Sequence, residues 1–350
     1  MRASAAALLA AVLPSHVFAA SAAATAGQSD ELERAKKLLD PDLRAGAQWS
    51  LDNALPSLGA HPTLDEIVAV RNRGWHHDAK FLSDPNVVER MVPRGDGGEV
   101  KVYVINAKPG TARGAVLHTH GGGFVLGSAK NNVPLMQDLA GALDCVVVTV
   151  EYRLSPETKF PAALDDNYAA LKWLHANAKE LGADTTRIAV SGESAGGGHA
   201  AMLAIAARDR GEIPIAFQCL TYPMLDDRTG STVDPAPFLG VIGWTRQWNR
   251  IGWSSFLGRP AGGDNAPAGS VPARVHNLAG LPPAWIGVGG LDLFLDEDIE
   301  YARRLMNAGV PTELLVVPGA YHGFDGVSQA AVSKRFANSR IEALARALKK

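Results

Sequence analysis

The sequence predicts an α/β fold built on a mostly parallel, eight-stranded sheet, and three observations support this. From about Val87 onward, short apolar runs alternate with segments of helical periodicity to the end of the chain. Several of those runs are apolar without interruption, as strands covered on both faces are. Ser194, flanked by glycines, stands between one such run and a segment of small residues, which reads as a strand, a sharp turn and a helix.

Taken in order, strands are expected over Val87–Val92, Val100–Asn106, Ala115–His120, Cys145–Tyr152, Ile188–Ser191, Ile215–Tyr222, Ala284–Gly289 and Glu313–Val317. The helical patterns between and after them are Pro134–Leu143, Pro161–Leu181, Ala195–Arg208, Glu297–Asn307 and Val332–Leu348. Two stretches break the alternation. Residues 29–85 read as one or two amphipathic helices joined by Pro-rich turns, an N-terminal cap segment. A Trp-, Gly- and Pro-rich insertion over about 225–275 interrupts the rhythm after the sixth strand. Both are expected over the active-site end of a catalytic domain spanning 86–350, as a helical cap.

The chain has 350 residues, 47% of them hydrophobic, enough for a sizeable core. A net charge of −2, with basic residues scattered, gives no reason to expect nucleic acid or an anionic membrane as partner. The first residues differ from the rest. Met1-Arg2 is a positive start, Ala5–Leu13 a short apolar stretch, and Val17-Phe18-Ala19 a small-x-small pattern. We expect a signal peptide over 1–19, cleaved after about Ala19, and a periplasmic or secreted product with no stable membrane anchor. Cys145 and Cys219 lie in separate apolar runs and are expected as buried hydrophobes rather than a bridge.

A serine hydroxyl attacks only when a base takes its proton, and the base needs a carboxylate to fix its tautomer. Downstream of Ser194 come Asp292, just past the strand Ala284–Gly289, and His322, just past the last strand. All three fall at C-terminal strand ends, where open α/β sheets place their sites. Their order is that of an α/β-hydrolase. Upstream, His120-Gly-Gly-Gly-Phe124 bares backbone N–H groups that, with the N–H of Ala195, suit an oxyanion. A phosphate cradle does not fit, because no Gly-Lys-Ser/Thr follows.

These motifs, with Tyr152-Arg-Leu-Ser-Pro-Glu157, Phe160-Pro-Ala-Ala-Leu-Asp-Asp166, Gly192-Glu-Ser-Ala-Gly-Gly197 and Tyr321-His-Gly-Phe324, resemble the hormone-sensitive-lipase family of esterases over about residues 87–350. The resemblance implies an α/β-hydrolase core with a helical cap, acting without a cofactor or metal on carboxylic esters. It implies an oxyanion hole of Gly122, Gly123 and Ala195. Two departures stand out. Glu193 occupies a position where the family commonly has Asp, and Asp292-Leu293-Phe294 replaces the usual Asp-Pro-Leu, with Asp296 and Glu297 as nearby carboxylates.

Other residues read more plainly. His118 and His120 share a strand face but lack a third metal ligand, and His120 is expected to brace the glycine loop. His199 is expected in helix packing, and His76-His77 in the cap or its linker. Phe124, Trp244 and Trp248 are expected at the substrate, and Trp253 shares the near-helical spacing of the two tryptophans; for the tryptophans plain cap packing is the alternative, and both roles hold together where the cap's inner face is the pocket wall. The sequence thus points to a serine carboxylesterase for small to medium apolar esters, a monomer or homodimer. An amidase, lactonase or deacylase with the same triad, or a non-catalytic binding protein, are the rivals.

Overall fold

The computed structural model describes residues 29–59, 62–74 and 79–349. The expected signal peptide and His76-His77 lie outside them. A helix through residues 29–38 (α1) is followed by α2 (Arg44–Asp52) and α3 (Leu64–Gly74). The remaining order is β1 (Val87–Pro93), β2 (Glu99–Ile105), β3 (Arg113–Thr119), α4 (Ala129–Leu143), β4 (Val146–Glu151), α5 (Ala162–Ala176), α6 (Ala178–Leu181) and β5 (Ala183–Glu193). Then come α7 (Ala195–Arg210), β6 (Phe217–Thr221), α8 (Arg246–Leu257), β7 (Ala284–Gly289), α9 (Leu295–Asn307), β8 (Thr312–Val317) and α10 (Ala331–Leu348).

The eight strands form one sheet in the order β1-β2-β4-β3-β5-β6-β7-β8. β2 pairs antiparallel with β1 and β4, and every pairing from β4 onward is parallel. Alternate residues serve opposite faces. Val146, Val148 and Val150 of β4 join a core with α5, α7, α8 and α9, while Val147 joins another with α4 and α10. That two-sided cover explains the unbroken apolar runs. Cys145 and Cys219 are buried free thiols, and burial pushes both up to about 12.

Three boundaries differ from the sequence reading for local reasons. α4 starts five residues before Pro134, because Ser128 caps it, its Oγ accepting from Asn131 N at 3.3 Å. The helix expected over Pro161–Leu181 is divided at Asn177, whose Nδ2 and backbone N both donate to the Trp173 carbonyl. β5 begins at Ala183, paired with Arg113, and a register irregularity separates that pair from the regular ladder at Ala115 and Ile188. The polar stretch Asp184–Arg187 hid its first half.

Between β6 and β7 the insertion forms α8, capped by Thr245, whose Oγ1 accepts from Trp248 N at 3.3 Å. It is tied to the N-terminal segment by the Trp248 indole N–H, which donates to Pro56 O at 3.1 Å, and by Gln247 Nε2, which donates to Leu58 O.

Candidate active site

Ser194 sits where β5 turns into α7. Its backbone takes φ 58° and ψ −123°, a strained conformation for a residue with a Cβ. The turn is fixed by Ser194 N donating to Thr221 O at 2.9 Å, and by Gly198 N and Met224 N donating to Ser194 O. Glycine at 196 is required by close approach, since a Cβ there would lie 2.0 Å from Thr119 O. Thr119 also donates its Oγ1 hydrogen to Gly196 O at 2.7 Å, so β3 holds the turn from beside it. Ser194 is 7% exposed, sheltered yet reachable.

His322 follows β8 and reaches back to this turn. Its Nε2 lies 2.9 Å from Ser194 Oγ, and its Nδ1 lies 2.8 Å from Asp292 Oδ2. Asp292 follows β7 and is fully buried, with Oδ1 accepting from Phe294 N at 3.0 Å. That bond fixes the carboxylate where the usual proline is missing. The neighbouring carboxylates point elsewhere. Asp296 is exposed, and Glu297 accepts from Leu225 N, Asp226 N and the Thr229 hydroxyl. The geometry suits removal of a serine proton by an imidazole whose tautomer a carboxylate sets.

The loop after β3 faces the serine. Gly122 and Gly123 take φ 123° and 58°, and among the described residues no backbone hydrogen bond uses the N–H of Gly122, Gly123 or Ala195. Donors left open beside a nucleophile are what a developing oxyanion requires. The loop is braced from several sides. His120 Nδ1 lies 2.8 Å from Gly121 O, and His120 stacks on Tyr152, whose hydroxyl donates to His120 O at 2.6 Å. Arg153 anchors that second loop, its Nε donating to both oxygens of the buried Asp166. From α3, Arg71 donates to Val125 O at 2.8 Å and Ser155 O at 3.0 Å, and pairs bidentately with Glu157.

The insertion presses on both halves of the site. A Cβ at Gly243 would fall 2.6 Å from His322 O, and one at Gly123 would fall 2.1 Å from the Trp244 ring. Trp244 therefore covers the glycine loop. Phe124 and Trp248, expected at the substrate, are instead 1% exposed. The Phe124 ring stacks on Phe256 and meets Trp253 and His199 edge-on, and Trp248 tilts against Trp244. Both rings are thus held in packing under a loop and a helix. Trp253 is likewise fully buried. His199 lies in α7 packing as expected, and burial pushes its imidazole down to about 3. Among the described residues, no three His, Cys, Asp or Glu side chains gather as a metal site.

Sequence reading missed several supports. Glu193 reaches across the site: Oε2 meets His118 Nε2 at 2.8 Å and Oε1 meets Arg340 Nη1 at 3.3 Å. Burial alone would raise its carboxyl, but His118 and Arg340 hold it below the ordinary range. The Glu-for-Asp departure was the available signal, since this side chain bridges β3 and α10. Arg71 carried no signal, being one arginine in an amphipathic helix.

A model of the α/β-hydrolase fold family matches residues 116–326. The esterase LipI of Mycobacterium tuberculosis is 39% identical over 229 residues, 64% of this chain and 70% of that protein. The carboxylesterase NlhH of the same organism is 35% identical over 297 residues, covering 81% of this chain and 89% of that protein. Among solved structures, a bacterial heroin esterase superposes with a TM-score of 0.77 at 38% identity, covering 90% of this chain and 99% of that one.

Proposed function

Because this chain belongs to the α/β-hydrolase fold family, within its hormone-sensitive-lipase-like carboxylesterases, we propose that it is a serine carboxylesterase acting on small to medium apolar esters. The observation that carries the reading is the continuous line from Asp292 Oδ2 through the His322 ring to Ser194 Oγ, at 2.8 and 2.9 Å. His322 Nε2 takes the Ser194 proton as Oγ bonds to the ester carbonyl carbon. Asp292 holds the ring and stabilises its charged form. The carbonyl oxygen, now negative, is bound by the N–H groups of Gly122, Gly123 and Ala195. As the tetrahedral intermediate collapses, the carbon–oxygen bond to the alcohol breaks and the alcohol leaves with the proton from His322. Water, deprotonated in turn by His322, then adds to the acyl carbon; the bond to Ser194 Oγ breaks, Oγ takes the proton back from His322, and the acid is released. The imidazole must be neutral to accept the proton.

Changing Ser194→Ala is expected to lower kcat by about 10⁴–10⁶ with the fold intact. Retained hydrolysis of p-nitrophenyl esters, or a wild type that a phosphonate probe fails to label, refutes the reading. The same panel with a lactone and an anilide separates the ester reading from lactonase and amidase chemistry. The motif over Met1–Ala19 supports export as part of the same reading.

A further inference from the structure

Tyr222, the residue after β6, combines three features. Its backbone is held at φ 35°, a left-handed conformation that a bulky L side chain adopts only under strain. The strain is sustained by its N–H, which donates to Gly287 O at 2.6 Å. Its ring meets the His322 imidazole with centroids 4.6 Å apart and planes at 62°. Its hydroxyl donates to Asp325 Oδ1 at 2.8 Å. Asp325 lies three residues beyond His322, so one loop supplies both the partner of the ring and the partner of the hydroxyl.

A buried charged cluster stands behind this contact. Burial pushes the carboxyl of Asp325 up, and Arg340 of α10 offsets part of that rise. The same guanidinium binds Glu193 Oε1, and Glu193 Oε2 meets His118, whose Nδ1 lies 2.8 Å from Thr149 Oγ1. The cluster therefore runs from the residue before Ser194 to the loop that carries His322. His322 itself is faced by Asp292 and Ser194 through its nitrogens, and by Tyr222 and Phe294 against its ring.

We propose that Tyr222 is a positioning residue for His322: the strained turn and the Asp325 hydrogen bond present the phenol ring to the imidazole and fix its rotation, so that one nitrogen meets Asp292 while the other meets Ser194. The inference rests on the reading of Ser194 and His322 as nucleophile and base. An imidazole released from this contact loses alignment with Asp292, and its charged form is then less stabilised.

The test compares Tyr222→Leu, Tyr222→Phe, Asp325→Leu and Asp325→Asn with wild type, reading kcat, KM and the acid limb of the kcat pH profile. Tyr222→Leu is expected to lower kcat by about 10- to 100-fold, as a misplaced catalytic group does. Its KM should stay within about twofold of wild type and its acid limb should move to lower pH. Tyr222→Phe, which keeps the ring and loses its anchor, and Asp325→Leu should lie between that variant and wild type. Asp325→Asn keeps an acceptor for the hydroxyl and should recover most of the activity. If Tyr222→Leu does not fold, the Phe variant and the Asp325 pair decide. Folded Tyr222→Leu, Tyr222→Phe or Asp325→Leu variants with unchanged kcat, or with lower kcat and an unmoved acid limb, overturn the inference, as does an Asp325→Asn variant no more active than Asp325→Leu. Phosphonate labelling of Ser194 in wild type, with none in Ser194→Ala, checks the underlying reading separately.

Discussion

His199 should make this fold sensitive to acid in a way that one substitution can isolate. Its imidazole is fully buried, has no hydrogen-bond partner on either nitrogen among the described residues, and is enclosed by Phe124, Tyr152 and Phe256 at centroid distances of 4.9, 4.5 and 5.6 Å. Burial lowers it from 6.5 to about 3. In the unfolded chain the same ring titrates near its ordinary value of 6.5. Between those two values the unfolded state holds a proton that the folded state does not, so stability falls as pH falls. The loss begins near the unfolded value and continues until the folded ring itself titrates. Where the difference is a full proton, the slope is about 1.4 kcal/mol per pH unit, and between about pH 7 and 5 the integrated loss is about 2 kcal/mol. His199→Leu removes that proton from the balance. Any repacking penalty shifts the whole curve, whereas the slope changes only if the titration is lost. Urea unfolding followed by tryptophan fluorescence at pH 7, 6 and 5 measures both. Parallel curves for variant and wild type would refute the reasoning. His120, lowered to about 4 mainly by burial, leaves a second slope of similar size in place over this range, one that ends at a higher pH.

The remaining predictions concern the site. Asp292→Asn should lower kcat by about 10⁴, because an amide favours the wrong imidazole tautomer, whereas Asp296→Asn, at an exposed position, should change it less than twofold; ester turnover by the two variants checks the acid. Gly123→Ala places a methyl 2.1 Å from the Trp244 ring at φ 58°, so the loop must shift and kcat should fall by about 10²-fold, the loss of one oxyanion donor. Full activity in that variant would remove Gly123 from the oxyanion reading.

The sheet was legible because burial on both faces leaves continuous apolar runs, as in β3 and β4. Elements failed to show where a local signal misled. Pro134 suggested a helix start although Ser128 caps α4, and polar residues disguised the beginning of β5. α8 lay unread inside the insertion, where only the tryptophan spacing hinted at a helix. Ser194, Asp292 and His322 could be chosen because strand ends and glycine turns leave short-range marks in the sequence. Their supports leave none. Arg71 meets Val125 across 54 positions and Glu157 across 86, and Tyr222 meets Asp325 across 103. No periodicity connects such pairs; only the folded sheet does. The packing of Phe124 and Trp248 was hidden for a related reason, since a large ring near a site looks the same in sequence whether it lines a cavity or fills one.

The reach of Arg71 bears on how this protein could be divided. By sequence, the chain before β1 is a cap segment preceding a catalytic domain that spans 86–350. Cutting at residue 86 would remove the guanidinium that ties Val125 O, Ser155 O and the Glu157 carboxylate together. The truncated protein would keep every residue assigned to the chemistry and lose the fastening of the loop that receives the oxyanion. The smallest transplantable unit therefore begins upstream of α3, and a graft or chimera that respects only the sheet would carry the reacting groups without their alignment.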